Sequence, residues 1–124
     1  MNGLNELAKQ FHEKAKSKDF WDKPRETGTL LMLMVSELSE ALEADRKNKH
    51  TNKNTLVKLL YENDPTQFVP VFQSDVKDTF EDEIADVFIR LLDFIGQREI
   101  DIESHIDLKM RFNQTREHKH GKAY

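Results

Sequence analysis

The sequence predicts an all-α fold, with one domain of the four-helix-bundle type. The 124 residues include only four glycines and three prolines, which are too few turn formers for a β-rich chain. Apolar residues recur at helical spacing in four stretches. The length suits one domain, so we expect a single domain over residues 1–124, with a connector at about 48–77 and a basic tail at about 115–124.

The first predicted helix spans residues 2–18, where apolar side chains follow the i, i+3, i+4 pattern. It carries His12, which is either a partly exposed helix residue or a ligand contact. A short connector follows this helix. It contains Pro24, which disfavours continuation of the helix, and the only tryptophan, Trp21. Trp21 either packs in the hydrophobic core or presents its ring face to a planar ligand.

The second predicted helix, at about 27–47, places carboxylates where apolar side chains belong. At about 100° per residue, Glu37 falls inside a broad apolar arc and Glu40 at its edge, whereas Glu43 lies on the far side. A carboxylate on a core stripe costs several kcal/mol unless a positive charge meets it. No lysine or arginine lies one turn away on that stripe, so a partner outside this helix must neutralise Glu37 and Glu40.

The connector after this helix is expected to hold one short helix at about 55–62. The apolar run at 67–72 is interrupted by Pro70, which favours a packed loop.

A third long helix is predicted at about 79–96, with Asp78 as its N-cap and Gly96 at its end. It carries Glu83 and Asp86, whose i, i+3 spacing puts both side chains on one face about a turn apart.

A fourth long helix, at about 102–114, is expected to turn four apolar residues inward: Ile102, Ile106, Met110 and Phe112. Lys109 and Asn113 follow each other on an adjacent face, and Arg116 comes three residues later.

If the two acidic helices pack side by side, four carboxylates can converge on one site: Glu37, Glu40, Glu83 and Asp86. Such carboxylates repel one another, and a hard divalent cation such as Mg²⁺ relieves the repulsion while leaving positions for substrate phosphates. The alternative is a set of solvated acids in which Asp86 pairs with Arg90 at i+4. A di-iron site is disfavoured, because neither Glu37 nor Glu83 has a histidine three residues on.

The composition excludes several classes of protein. The absence of cysteine excludes disulfides, thiolate metal sites and cysteine nucleophiles. A net charge of −4 argues against nucleic-acid binding, and no apolar stretch approaches a membrane span or a signal sequence. We therefore expect a cytoplasmic protein with neither a nucleic-acid nor a membrane partner. The basic residues after position 108 suit an anionic ligand beside a metal or, equally, a disordered tail.

Four parts of the chain, in order, resemble a known family. VSELSEALEADR and FEDEIADVFIRLLDF are similar to the acidic helices of the MazG-like, all-α nucleoside triphosphate pyrophosphohydrolases, whose signature is E-x-x-E on one helix and E-x-x-D on the next. HEKAKSKDFWDKPRETGTLLMLMVSEL matches the family's order of His, Trp and acidic helix, and LKMRFNQTREHKHGKAY resembles its ending Lys-Met-x-x-Asn-x-x-Arg with a downstream His-Gly-Lys. Two departures, Ser36 in place of a further Glu and a longer connector, bear on substrate choice more than on the reaction.

The resemblance implies a reaction, an assembly and a site. The family hydrolyses a nucleoside triphosphate between its α- and β-phosphates, giving the monophosphate and pyrophosphate, and it forms homodimers or homotetramers. By this resemblance Mg²⁺, with Mn²⁺ as the alternative, would be held by Glu37, Glu40, Glu83 and Asp86, which also form the catalytic set. The phosphates would contact Lys109, Asn113 and Arg116, and the base would contact His12 and Trp21.

The rival hypothesis is a non-catalytic helical interaction or regulatory module. In such a protein the acidic pairs are solvated. The apolar faces of the long helices, which are wider than one neighbouring helix can cover, bind a partner helix. In the enzyme, the same apolar faces would form contacts between subunits.

Overall fold

The structure, a computed structural model, describes residues 3–116, and the regular secondary structure of this part is α-helical. This part of the chain contains no strand, so the all-α prediction is confirmed, with six helices rather than four. The helices are α1 (Leu4–Ser17), α2 (Thr27–Arg46), α3 (Lys53–Leu60), α4 (Pro65–Asp75), α5 (Phe80–Gln97) and α6 (Ile102–Gln114).

The described residues form two compact units. The terminal unit comprises residues 3–23 and 92–116, and the central unit comprises residues 24–91. Helix α5 contributes residues to both. The prediction of a single domain over residues 1–124 stays a prediction, and residues 117–124 of the predicted basic tail lie outside the described part.

The expected loop at 67–72 is wrong, because these residues lie within α4. The side chain of Asp64 caps this helix by accepting a hydrogen bond from the Thr66 N–H, and Pro65 takes the first helical position, where a missing N–H costs nothing. Pro70 removes one internal hydrogen bond. The cap and the stacked Phe68–Phe72 pair, with centroids 5.7 Å apart, offset that loss.

The terminal unit has a small core of Ala8, Leu92 and Ile95, against which apolar residues of α1 and α6 pack. Asn5 links the starts of α1 and α6: its backbone N–H donates to the Glu103 carboxylate over 2.7 Å, and its side chain accepts from the Glu103 N–H. These bonds fix the register of the two helices.

Gly96 does not end α5, contrary to the sequence-based expectation, since the helix continues to Gln97. A Cβ at this position would collide with the backbone carbonyl of Ala8 and crowd the Cβ of His12. The glycine is therefore required for the close approach of α1, not for a helix stop.

In the central unit, α2 buries Leu30, Met34, Ala41 and Ala44. The predicted arc is wider than the face that this unit covers. A second stripe along the helix stays about half exposed: Leu31, Val35, Leu38 and Leu42.

The start of α5 is tied to the residues that follow α2. The Phe80 N–H donates to the Lys49 carbonyl over 2.8 Å, and the Thr51 N–H donates to the Glu81 carboxylate over 2.8 Å. Thr79, rather than the predicted Asp78, caps the helix, because its hydroxyl accepts from the Asp82 N–H. These contacts fix the position of the first turn of α5, which carries the first of its acidic side chains.

Helix α6 has the predicted bounds, but part of its predicted orientation is wrong. Ile102 packs against the core of the terminal unit, whereas Met110 and Phe112 are 56% and 55% exposed. None of the described helices has both the length and the apolar character needed to cross a bilayer.

Candidate functional site

Two carboxylates of α2 lie where the apolar pattern predicted them. Glu37 shares the face of Leu30, Met34 and Ala41, and its side chain is only 13% exposed. Glu40 lies at the edge of that face and is exposed. Helical periodicity alone therefore explains why one acid of the pair is enclosed and the other meets solvent.

Helix α5 brings two further acids to the same place in the central unit. Carboxylate oxygens of Glu37, Glu83 and Asp86 all lie within 4.8 Å of one another. Glu40 is outside this closest trio but adjoins Glu83, as its effect on the pKa of Glu83 shows. We call these four residues the acidic cluster.

Glu83 is the most enclosed member of the acidic cluster. It is only 4% exposed, and its Oε2 atom is buried without a hydrogen-bond partner in the described chain. The sequence places Glu37 inside the apolar arc of α2 but gives for Glu83 only the face that it shares with Asp86, so the depth of Glu83 is a structural finding. The ionised form of this carboxylate is costly without a donor, and either a proton shared with the Glu40 and Glu37 carboxyls or a bound cation would satisfy it.

The pKa values of the cluster reflect this crowding. Burial, followed by the neighbouring carboxyls of Glu40, Glu37 and Asp86, raises the pKa of Glu83 to about 8. Burial and the charge of Glu37 also raise the pKa of Asp86, while Arg90 opposes that shift. Protons therefore relieve part of the repulsion when no cation is bound.

Arg90 supplies the counter-charge that the sequence left unidentified. Its Nε donates to the Glu37 Oε1 over 2.9 Å. The sequence alternative, an i+4 pair between Asp86 and Arg90, is wrong, since the arginine pairs across the two helices instead. This ion pair joins α5 to α2 at the acidic cluster.

The cluster adjoins a cavity of about 260 Å³, whose lining includes Glu40 and Glu83 together with Lys47 and Lys49. A second trio of carboxylates shares Glu83 with Asp78 and Asp82. One oxygen of Asp82 already accepts a hydrogen bond from the Asp78 N–H over 3.0 Å. That bond belongs to the start of α5, so we count this trio as part of the helix cap.

In the terminal unit, His12 and Trp21 share one buried acid, Asp93, which the sequence analysis did not single out. Asp93 is 6% exposed, and it lies 2.9 Å from the His12 Nδ1 and 2.9 Å from the Trp21 Nε1. The two rings meet edge to face, with centroids 5.4 Å apart. In helical projection Asp93 lies with Asp82 and Asp86, outside the apolar arc of α5, so periodicity does not indicate that it is buried.

The predicted phosphate contacts on α6 also belong to the terminal unit. Lys109, Asn113 and Arg116 are exposed. The Lys109 Nζ and the Arg116 guanidinium lie 5.7 Å and 5.5 Å from the centroid of the Phe112 ring. The ring therefore brings the cation of Lys109 and that of Arg116, which follows the end of α6, to the same part of the surface. The His-Gly-Lys segment of the tail lies outside the described residues.

The acidic cluster could hold a hard cation. It offers oxygen ligands only, from two helices, at mutual distances that one ion can bridge, with an unpartnered buried oxygen among them. The sequence has no cysteine, so soft thiolate sites are excluded. Comparisons of the chain with protein-family models, curated proteins and solved structures find no match.

Proposed function

We propose that this protein is a Mg²⁺-dependent nucleoside triphosphate pyrophosphohydrolase with the MazG-like all-α fold. The observation that carries the proposal is the buried Glu83, whose unpartnered Oε2 belongs to a carboxylate that faces those of Glu37 and Asp86 within 4.8 Å. Enclosed carboxylates at this spacing favour a divalent cation. The reaction, hydrolysis between the α- and β-phosphates, is inferred from the resemblance of the sequence motifs, in their order, to the MazG-like family.

The cation, Mg²⁺ or Mn²⁺, would be held by Glu37, Glu83 and Asp86, with Glu40 at the solvent side. When bound, it supplies positive charge to phosphate oxygens and makes water more acidic. In the proposed reaction, water attacks the α-phosphorus, the bond from that phosphorus to the bridging oxygen breaks, and a carboxylate of the cluster accepts the water's proton. The products are the nucleoside monophosphate and pyrophosphate.

The proposed substrate contacts outside the acidic cluster rest on the resemblance. Lys109, Asn113 and Arg116 would offset phosphate charge, while His12 and Trp21 would contact the base. The hydrogen bond from the Trp21 indole to Asp93 fixes the rotation of the ring, which supports a stacking role.

We also propose that the chain self-associates through α2. The stripe of Leu31, Val35, Leu38 and Leu42 is 44–49% exposed along one face of the helix. A contiguous apolar stripe is typical of a subunit interface, and the resemblance implies a homodimer or homotetramer.

The same stripe favours a second candidate function, a non-catalytic helical interaction or regulatory module. A partner helix could cover Leu31, Val35 and Leu38 as well as a second copy could. That protein would show no thermal stabilisation by Mg²⁺ with a nucleotide and no turnover.

A single panel separates the two candidates. Purified protein is incubated with Mg²⁺ and each common ribo- and deoxyribonucleoside triphosphate, and pyrophosphate and orthophosphate are measured separately. We expect pyrophosphate release that requires Mg²⁺ and that Glu40→Gln abolishes while the fold survives. Orthophosphate alone would place cleavage elsewhere in the phosphate chain, and the absence of any release favours the interaction module.

A further inference from the structure

Arg90 shares a face of α5 with two members of the acidic cluster. It follows Asp86 by four residues and Glu83 by seven, spacings that bring side chains into line along a helix. Its Nε donates to the Glu37 Oε1 over 2.9 Å. Arg90 is thus built into the cluster from the α5 side and held there from the α2 side.

The pair is oriented with the carboxylate inside and the guanidinium outside. The Glu37 side chain is 13% exposed, whereas the Arg90 side chain is 34% exposed. The bond to Glu37 uses Nε, which is one of the five N–H donors of the group. Among residues 3–116, no acceptor bonds to the two terminal nitrogens of Arg90, which form the planar fork that matches phosphate oxygens.

We propose that Arg90 is a phosphate-binding residue of the acidic cluster, anchored by Glu37 and donating through its terminal nitrogens to a phosphate oxygen of the nucleotide. This inference rests on the proposed function and deepens it, because it assigns a substrate contact within the central unit. Four carboxylates repel a polyphosphate. A fixed guanidinium beside the cation gives the anion a second positive contact.

The alternative for Arg90 is a purely structural role, in which it only neutralises Glu37. The two roles differ in the sign of one effect. Loss of a positive charge frees Glu37 and leaves the cluster more negative, so Mg²⁺ alone binds at least as tightly as before. Loss of a charge-assisted hydrogen bond to phosphate weakens polyphosphate binding by about 10- to 100-fold. A structural defect weakens both.

The experiment compares the wild type with Arg90→Met, Arg90→Lys and a matched control, Arg46→Met, whose side chain is exposed at the end of α2. Calorimetric titrations measure Kd for Mg²⁺ alone and then Kd for inorganic pyrophosphate at saturating Mg²⁺. We expect Arg90→Met to keep Mg²⁺ binding and to lose pyrophosphate affinity by the stated factor. Arg90→Lys, which keeps the charge without the fork, is expected to recover part of it, and Arg46→Met to match the wild type.

Three results would overturn the inference: equal pyrophosphate affinity in Arg90→Met and the wild type, parallel loss of Mg²⁺ and pyrophosphate binding in both Arg90 variants, or no pyrophosphate binding by the wild type. If Arg90→Met does not fold, Arg90→Lys carries the same comparison. Failure of the proposed function is a separate outcome, because a wild type that binds pyrophosphate through Arg90 yet releases none from any nucleotide refutes only the reaction.

Discussion

Replacing Glu83 by glutamine is expected to remove most of the pH dependence of stability and the response to Mg²⁺. In the folded wild type the pKa of Glu83 is raised from 4.5 to about 8. Between these values the folded protein binds a proton that the unfolded chain has released, so raising the pH through this window lowers the free energy of unfolding. Above pH 8 the loss is complete.

The size of the effect follows from the shift. A change from 4.5 to about 8 corresponds to at most about 5 kcal/mol, at about 1.4 kcal/mol per pKa unit. Several carboxyls share this charge and Glu40 is exposed to water, so we expect about 2 kcal/mol after screening. For a chain of this size that is roughly 6–10 °C in Tm.

The assay is thermal unfolding between pH 5 and pH 9, with and without Mg²⁺. Metal-free wild type is expected to lose stability as the pH rises through the window. Mg²⁺ is expected to restore it at pH 8.5 more than at pH 6, because the cation binds the ionised carboxylate. Glu83→Gln is expected to show a much flatter pH profile and no Mg²⁺ response.

Glu43→Gln is the control for this experiment. Glu43 lies on the same stretch of α2 as Glu40, but its side chain is 53% exposed and pairs with Lys47 over 3.5 Å. This variant is expected to keep the wild-type pH profile and Mg²⁺ response. A wild-type profile in Glu83→Gln, or equal stabilisation of that variant by Mg²⁺, would refute the assignment of the cation site.

Two further predictions concern the base and the subunit interface. Trp21→Ala is expected to raise KM about 2- to 10-fold with kcat little changed, because one stacking contact is lost; steady-state kinetics measures this, and an unfolded variant would return Trp21 to a structural role. Val35→Glu puts a charge into the exposed stripe of α2, where Val35 is 48% exposed. It is expected to yield monomers in sedimentation velocity, and a wild type that is itself monomeric would contradict the proposed interface.

Much of the fold could be predicted because helical periodicity is a local property. The apolar pattern gave α2, α5 and α6 within a residue or two of their observed bounds. In the segment that forms α4, Pro70 disfavours a helix, whereas the Asp64 cap and Pro65 at the first helical position favour one. Local signals were present for both outcomes, and only their sum in the folded chain decides between them.

The convergence of acidic side chains from two helices could be predicted, but their burial and their ion pairs could not. The spacing of Glu37 and Glu83 shows which face each occupies, and the structure brings both together with Asp86. The Arg90–Glu37 pair depends on how two helices are rotated and shifted relative to each other, which periodicity within either helix does not fix. Asp93 was overlooked for a similar reason, since its partners are 72 and 81 positions away.

We propose that the acidic cluster supports hydrolysis at the α-phosphorus. The most direct test is ³¹P NMR of the products formed with Mg²⁺ in ¹⁸O-labelled water, for the wild type and for Glu83→Gln. We expect a nucleoside monophosphate that carries the label, unlabelled pyrophosphate, and no turnover in the variant. Orthophosphate as the product, label in the pyrophosphate, or undiminished turnover by Glu83→Gln would contradict it.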